Sequence, residues 1–145
     1  MTLAESRALT EGIASWVKAR SDLKALGLVG SWARGDARPD SDLDLLILAD
    51  NPAVYRLSDD WLYHLPLPEM FRVSSHKGAT YGVVWSCHAL LQSGAELELT
   101  FAAVDWAATD PIDASTRDIV LTGFRVIVDK DGSLRRLAKA IQNSN

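Results

Sequence analysis

Cysteine is nearly absent from this sequence: Cys87 is the only one in 145 residues. A single thiol excludes an internal disulfide and fits a reducing, cytoplasmic setting. Also missing is an apolar run long enough to cross a membrane. Glu5, Arg7, Glu11, Lys18 and Arg20 interrupt the N-terminal segment, so no signal-peptide core is expected there. No run of Lys or Arg occurs, and 15 basic against 19 acidic side chains give a net charge of −4. An extended nucleic-acid surface, which calls for a basic footprint, is therefore not expected. His64, His76 and His88 show no ligand spacing and read as structural or surface residues. With no repeat, low-complexity tract or linker, residues 1–145 read as one domain.

What is present is a well-patterned core, 48% of the residues being hydrophobic. Thr2 and Glu5 have capping-box spacing, and Leu9, Ile13, Trp16 and Val17 then share one helical face, which predicts a helix from about residue 3 to about residue 20. Leu23 to Val29 reads as a buried strand ending at Gly30. The segment Ser31–Ser41, rich in Gly, Pro, Asp and Arg, predicts a turn or a short helical hook. A second strand follows over Leu43–Leu48. Residues 50–79 predict only a short helix around Asp59–Leu65 and a strand near Phe71. Tyr81–Leu91 and Ala95–Ala102 read as two strands joined by Gln92-Ser-Gly94, a hairpin. A helix over 114–121, a strand over Phe124–Val128 and a last helix through Leu134, Leu137 and Ile141 complete the pattern.

The acids are unevenly placed: Asp36, Asp40, Asp42, Asp44 and Asp50 fall in one short stretch, with Arg34 and Arg38 between them. Asp42 and Asp44, at i and i+2 beside apolar neighbours, direct two carboxylates from one face of a strand. Like charges held so close raise each other's pKa unless a cation lies between them. Mg²⁺, which takes carboxylate and phosphate oxygens, answers that need. Glu98, on a later strand between Leu97 and Leu99, can complete the set, and Glu96 on the same face is its rival. Three such carboxylates can hold two metals for in-line displacement at phosphorus. Upstream, Gly30 allows close backbone approach, the amides after it can face phosphate oxygens, and Ser31 adds a hydroxyl. Arg34 or Arg38 can neutralise phosphate charge. The loop lacks the Gly-Lys-Ser/Thr of a Walker motif.

Leu28-Val-Gly-Ser31, a loop, and Ser41-Asp-Leu-Asp-Leu45 together resemble the signature of the DNA polymerase β-like nucleotidyltransferase superfamily. The likeness is strongest to small bacterial proteins related to aminoglycoside, lincosamide and minimal nucleotidyltransferases. It implies a twisted mixed β-sheet with helices mainly on one side, an α+β fold of polymerase-palm type. It also implies that an NMP moves from an NTP, such as ATP, to a hydroxyl acceptor with release of pyrophosphate. Gly30 and Ser31, with Arg34 and Ser41, would bind the nucleotide. Asp42 and Asp44 would hold a Mg²⁺ pair, and Glu98 would be the third ligand or the base that activates the acceptor. The antibiotic-modifying relatives carry a further, mostly helical acceptor-binding region. The sequence given stops at Asn145, so acceptor contacts are expected from residues 50–79, a second subunit or a separate partner. The alternative reading is the nucleotidyltransferase half of a two-protein, toxin–antitoxin-like module that acts on or binds a partner protein. The protein partners considered are a second copy of the chain, as a homodimer, or a small helical protein.

Overall fold

The capping box at the N-terminus forms as its spacing predicts. Glu5 N–H donates to the Thr2 hydroxyl at 3.1 Å, and Thr2 N–H donates to the Glu5 carboxylate at 2.9 Å. From there the structure, a computed structural model that describes residues 1–143, runs into helix α1 (Leu3–Ala19). Six strands follow: β1 (Leu23–Val29), β2 (Leu43–Ala49), β3 (Val73–Tyr81), β4 (Val84–Leu91), β5 (Glu96–Ala103) and β6 (Phe124–Asp129). Between them lie α2 (Ser31–Arg34), α3 (Ala53–Leu57), α4 (Asp60–Tyr63) and α5 (Ala114–Thr122), and α6 (Ser133–Asn143) follows β6. Among the described residues, no helix is long and apolar enough to cross a membrane.

The strands make one mixed sheet in the order β3-β4-β5-β2-β1-β6. Among the described residues only β2 and β5 run parallel; every other neighbouring pair is antiparallel. Side chains alternate between the faces of a strand. Leu43, Leu45 and Ile47 of β2 therefore join one apolar core with Leu9, Ile13 and Val17 of α1, together with Tyr55 and Leu62 of α3 and α4. Leu46 and Leu48 turn the other way, into a second core with Trp106 and with Leu134, Leu137 and Ile141 of α6. The mixed sheet with helices is the expected architecture. The helices, expected mainly on one side, instead cover both of its faces, α1, α3 and α4 on one and α5 and α6 on the other, because β2 and β5 bury apolar side chains on both.

Residues 50–81 depart most from expectation. Phe71 is buried in a 3-10 turn (Glu69–Phe71), and the strand near it begins at Val73 and continues for nine residues. Tyr81 ends that strand and does not begin the next. Gly82, at φ +59°, turns the chain into β4, so a second hairpin precedes the one at Gln92-Ser-Gly94. Helix α3, after Pro52, is a further element without a sequence expectation.

Candidate active site

Asp44 sits on the second-core face of β2, paired with Val29 of β1 on one side and with Glu98 of β5 on the other. The parallel pairing sets Glu98 directly beside Asp44, and Asp42, one residue before β2, shares their face. Carboxylate oxygens of Asp42, Asp44 and Glu98 all lie within 4.8 Å of one another. Glu96, the rival acid, is turned instead to His88, whose Nε2 stands 3.7 Å from Glu96 Oε1 and 3.8 Å from Asp42 Oδ2.

Electrostatics make this cluster costly by itself. Burial, a hydrogen bond with Glu98 and the charges of Asp42 and Glu98 push the Asp44 carboxyl up to about 8, against a weaker opposing pull from Arg34. Asp44 Oδ1 is buried without a hydrogen-bond partner among the described residues. A crowded set of hard oxygen donors with one left orphaned fits a divalent cation such as Mg²⁺.

Gly30 explains how a carboxylate can sit so close to the hook. It has φ +73°, and a Cβ there would collide with Asp44 Oδ2. Its carbonyl accepts from Ala33 and Arg34 N–H at 3.1 Å each, which starts α2. Trp32 packs beneath the hook against the α1-side core. Ser41 closes the turn that delivers Asp42: its hydroxyl accepts from Arg38 N–H at 2.8 Å, and its own N–H donates to Arg38 O at 2.9 Å. The Arg34 side chain pairs with Asp36 at 3.2 Å.

Two clefts meet at the acids. One, of about 310 Å³, is walled by Val29, Gly30, Asp44, Glu98, Thr100 and, from α5, Asp118, Ile119 and Thr122. The other, of about 160 Å³, runs from Asp42 and Glu98 over Ser86 and His88 to Lys77 and Tyr81 of β3. Ser86 and Thr100 share a 2.7 Å hydrogen bond on the floor between them. Of the residues expected at the site, the structure gathers Gly30, Asp42, Asp44 and Glu98, whereas Ser31, Arg34 and Ser41 flank it without lining either cleft. His88 and Lys77 were not among the expected residues. Only the strand pairing, not any spacing, could have shown that they share a row with Glu98.

The family comparison bears on the same residues: 11–80 match the nucleotidyltransferase domain model. That match spans 70 of the 145 residues, just under half of the chain, and is a similarity to the domain. The match includes Gly30, Ser31, Asp42 and Asp44, and Glu98 lies beyond it. Among solved structures, an aminoglycoside 6-adenyltransferase from Bacillus subtilis aligns with TM-score 0.54 and 13% identity, over 73% of this chain and 37% of its own. The RNA terminal uridylyl transferase Cid1 aligns with TM-score 0.50 and 18% identity, over 82% of this chain and 33% of its own. This chain thus spans about a third of the length of those relatives, and at such identities the likeness shows the fold alone. No curated protein sequence matches the chain.

Proposed function

We propose that this chain moves a nucleoside monophosphate from an NTP, ATP among the candidates, to a hydroxyl acceptor, with Mg²⁺ held by Asp42, Asp44 and Glu98. The observation that carries the reading is the convergence of three carboxylates beside Gly30, inside the family match save for Glu98. The bound cation supplies charge neutralisation and activation of the attacking oxygen.

The chain's own residues do the rest. Gly30, having no side chain, lets the phosphates approach the backbone of the hook while Asp44 stays in place behind it. Ser31 offers its hydroxyl to the same phosphates, and Arg34 contributes positive charge close by. Ser41 acts at one remove, holding the turn that presents Asp42. Glu98 borders both clefts, so its carboxylate can take the acceptor's hydroxyl proton as the new bond forms. Asp118 and Thr122 of α5 offer polar contacts to the donor from the far wall.

The test is a transfer assay with α-labelled NTPs, Mg²⁺ and panels of hydroxyl acceptors. Label should pass to an acceptor with release of pyrophosphate, and Asp44→Asn should slow it by roughly 10²-fold or more, as losing a transition-state electrostatic contact does. Transfer at an unchanged rate in Asp42→Asn plus Asp44→Asn would show the assignment to be wrong.

A further inference from the structure

The row of side chains across the acid face continues past Glu98. Glu98 pairs with His88 on β4, and His88 pairs with Lys77 on the edge strand β3. Cross-strand partners share a face, so Lys77, His88, Glu98 and Asp44 form one line over four strands. Neighbouring strands lie about 4.8 Å apart, which sets Lys77 roughly 10 Å from Glu98 along the sheet. The smaller cleft runs along this line. Lys77 is its only permanently cationic wall residue and makes no ion pair among the described residues.

Reaction geometry distinguishes the two clefts. An in-line displacement needs the entering oxygen and the leaving pyrophosphate on opposite sides of the α-phosphorus. With the phosphates at Gly30, which lines only the larger cleft, the acceptor must come from the smaller one. At about 160 Å³ that cleft is below the usual size of a whole small-molecule pocket, so it suits a compact group.

Resting on the transferase reading above, we propose that this cleft is the acceptor subsite and that it selects a small hydroxyl compound bearing an anionic group, phosphate or carboxylate, which Lys77 binds. The acceptor lies along His88 and Ser86 with its hydroxyl at Glu98 and its anion at the edge strand. The hydroxyl oxygen bonds to the α-phosphorus, and the bond from that phosphorus to the bridging oxygen of the β-phosphate breaks. Pyrophosphate leaves with the electron pair, and the hydroxyl proton passes to Glu98 and on to water. Lys77 takes no part in bond making; it fixes the length and charge of what fits.

The experiment is calorimetric titration of the full chain, loaded with Mg²⁺ and a non-hydrolysable ATP analogue. The probes are glycerol 3-phosphate, glycerate, glycerol, 3-amino-1,2-propanediol and a short oligoribonucleotide. Glycerol 3-phosphate, glycerate or both should bind saturably, and glycerol, 3-amino-1,2-propanediol and the oligoribonucleotide should not. Lys77→Gln, on an exposed edge strand, should weaken the anionic probe by roughly tenfold or more, the loss expected for one charge-assisted hydrogen bond. The affinity for the analogue should stay within about twofold on the same scale. Tighter binding of the amine, glycerol or the oligoribonucleotide, no binding by either anion, or anion binding unchanged in Lys77→Gln would overturn the acceptor assignment while leaving the transferase reading intact. Failure of the analogue itself to bind the wild-type chain would overturn both.

Discussion

Asp44 ordinarily would ionise near 3.8, yet in the folded, metal-free chain burial and two neighbouring acids hold it protonated up to about 8. Between those values the folded state keeps a proton that the unfolded chain releases, so the unfolded state binds fewer protons and stability falls as pH rises. Metal-free protein should therefore lose stability from about pH 4 to about pH 8 through this group. Asp44→Asn, which has no proton to lose, should flatten that part of the curve and be the more stable form at pH 8. Urea denaturation in EDTA at pH 5 and pH 8 checks it; parallel curves for the two proteins would refute it. Gly30 yields a second expectation. Gly30→Ala places a methyl against Asp44 Oδ2 at φ +73°, so it should cost about 1 kcal/mol or more. It should also abolish binding of the ATP analogue, which calorimetry would show. These residues were legible early because they belong to one short motif: Gly30, Asp42 and Asp44 are close in sequence, and their types state their chemistry. Lys77 and His88 were not, because a lone lysine and a lone histidine acquire meaning only through the partners that the sheet register gives them.

At the level of elements, legibility followed patterning. Helix α1 had its capping box and a clean apolar face, and β1 and β2 were mostly apolar, broken by Lys24 in one and by Asp44 in the other, so each was foreseen nearly to its ends. Strand β3 was not, since as an edge strand it exposes most residues on both faces and has no alternation to read. Helix α3, five residues long, offers too little sequence for a helical period. The last helix depends on a residue just outside it. Asp129 at the end of β6 accepts from Leu134 N–H at 3.1 Å and from Arg135 N–H at 3.0 Å, satisfying two amides of the first turn of α6. Asp129→Ala should remove about 1–2 kcal/mol of stability, in the upper range for a lost cap. The pyrophosphate-release rate should be little changed, since Asp129 lines neither cleft. Denaturant midpoints and rates measured on the same preparation would show whether the two effects separate.

At the scale of the molecule, the decisive feature is the parallel pairing of β2 with β5. The hairpins bring β3, β4 and β5 together by local turns, but only the return of β5 alongside β2 sets Glu98 against Asp44. A pattern of strands and helices does not specify that neighbour, so the third acid entered the sequence account by resemblance and by its place between leucines. The same topology leaves a core on each face of the sheet, with the acids on the α5–α6 face between Gly30 and the β3–β4 hairpin. If the cluster binds Mg²⁺ in the folded state only, adding the ion should raise Tm by an amount that grows with the logarithm of its concentration once it exceeds the Kd. Asp44→Asn should lose most of that rise. The most direct measurement of the central claim is calorimetric titration of a non-hydrolysable ATP analogue into the chain with Mg²⁺ and with EDTA, for the wild type and for Asp42→Asn plus Asp44→Asn. Saturable binding that needs Mg²⁺ and falls by roughly tenfold or more in the double variant is the predicted result. Binding that is indifferent to EDTA and to both substitutions would contradict it.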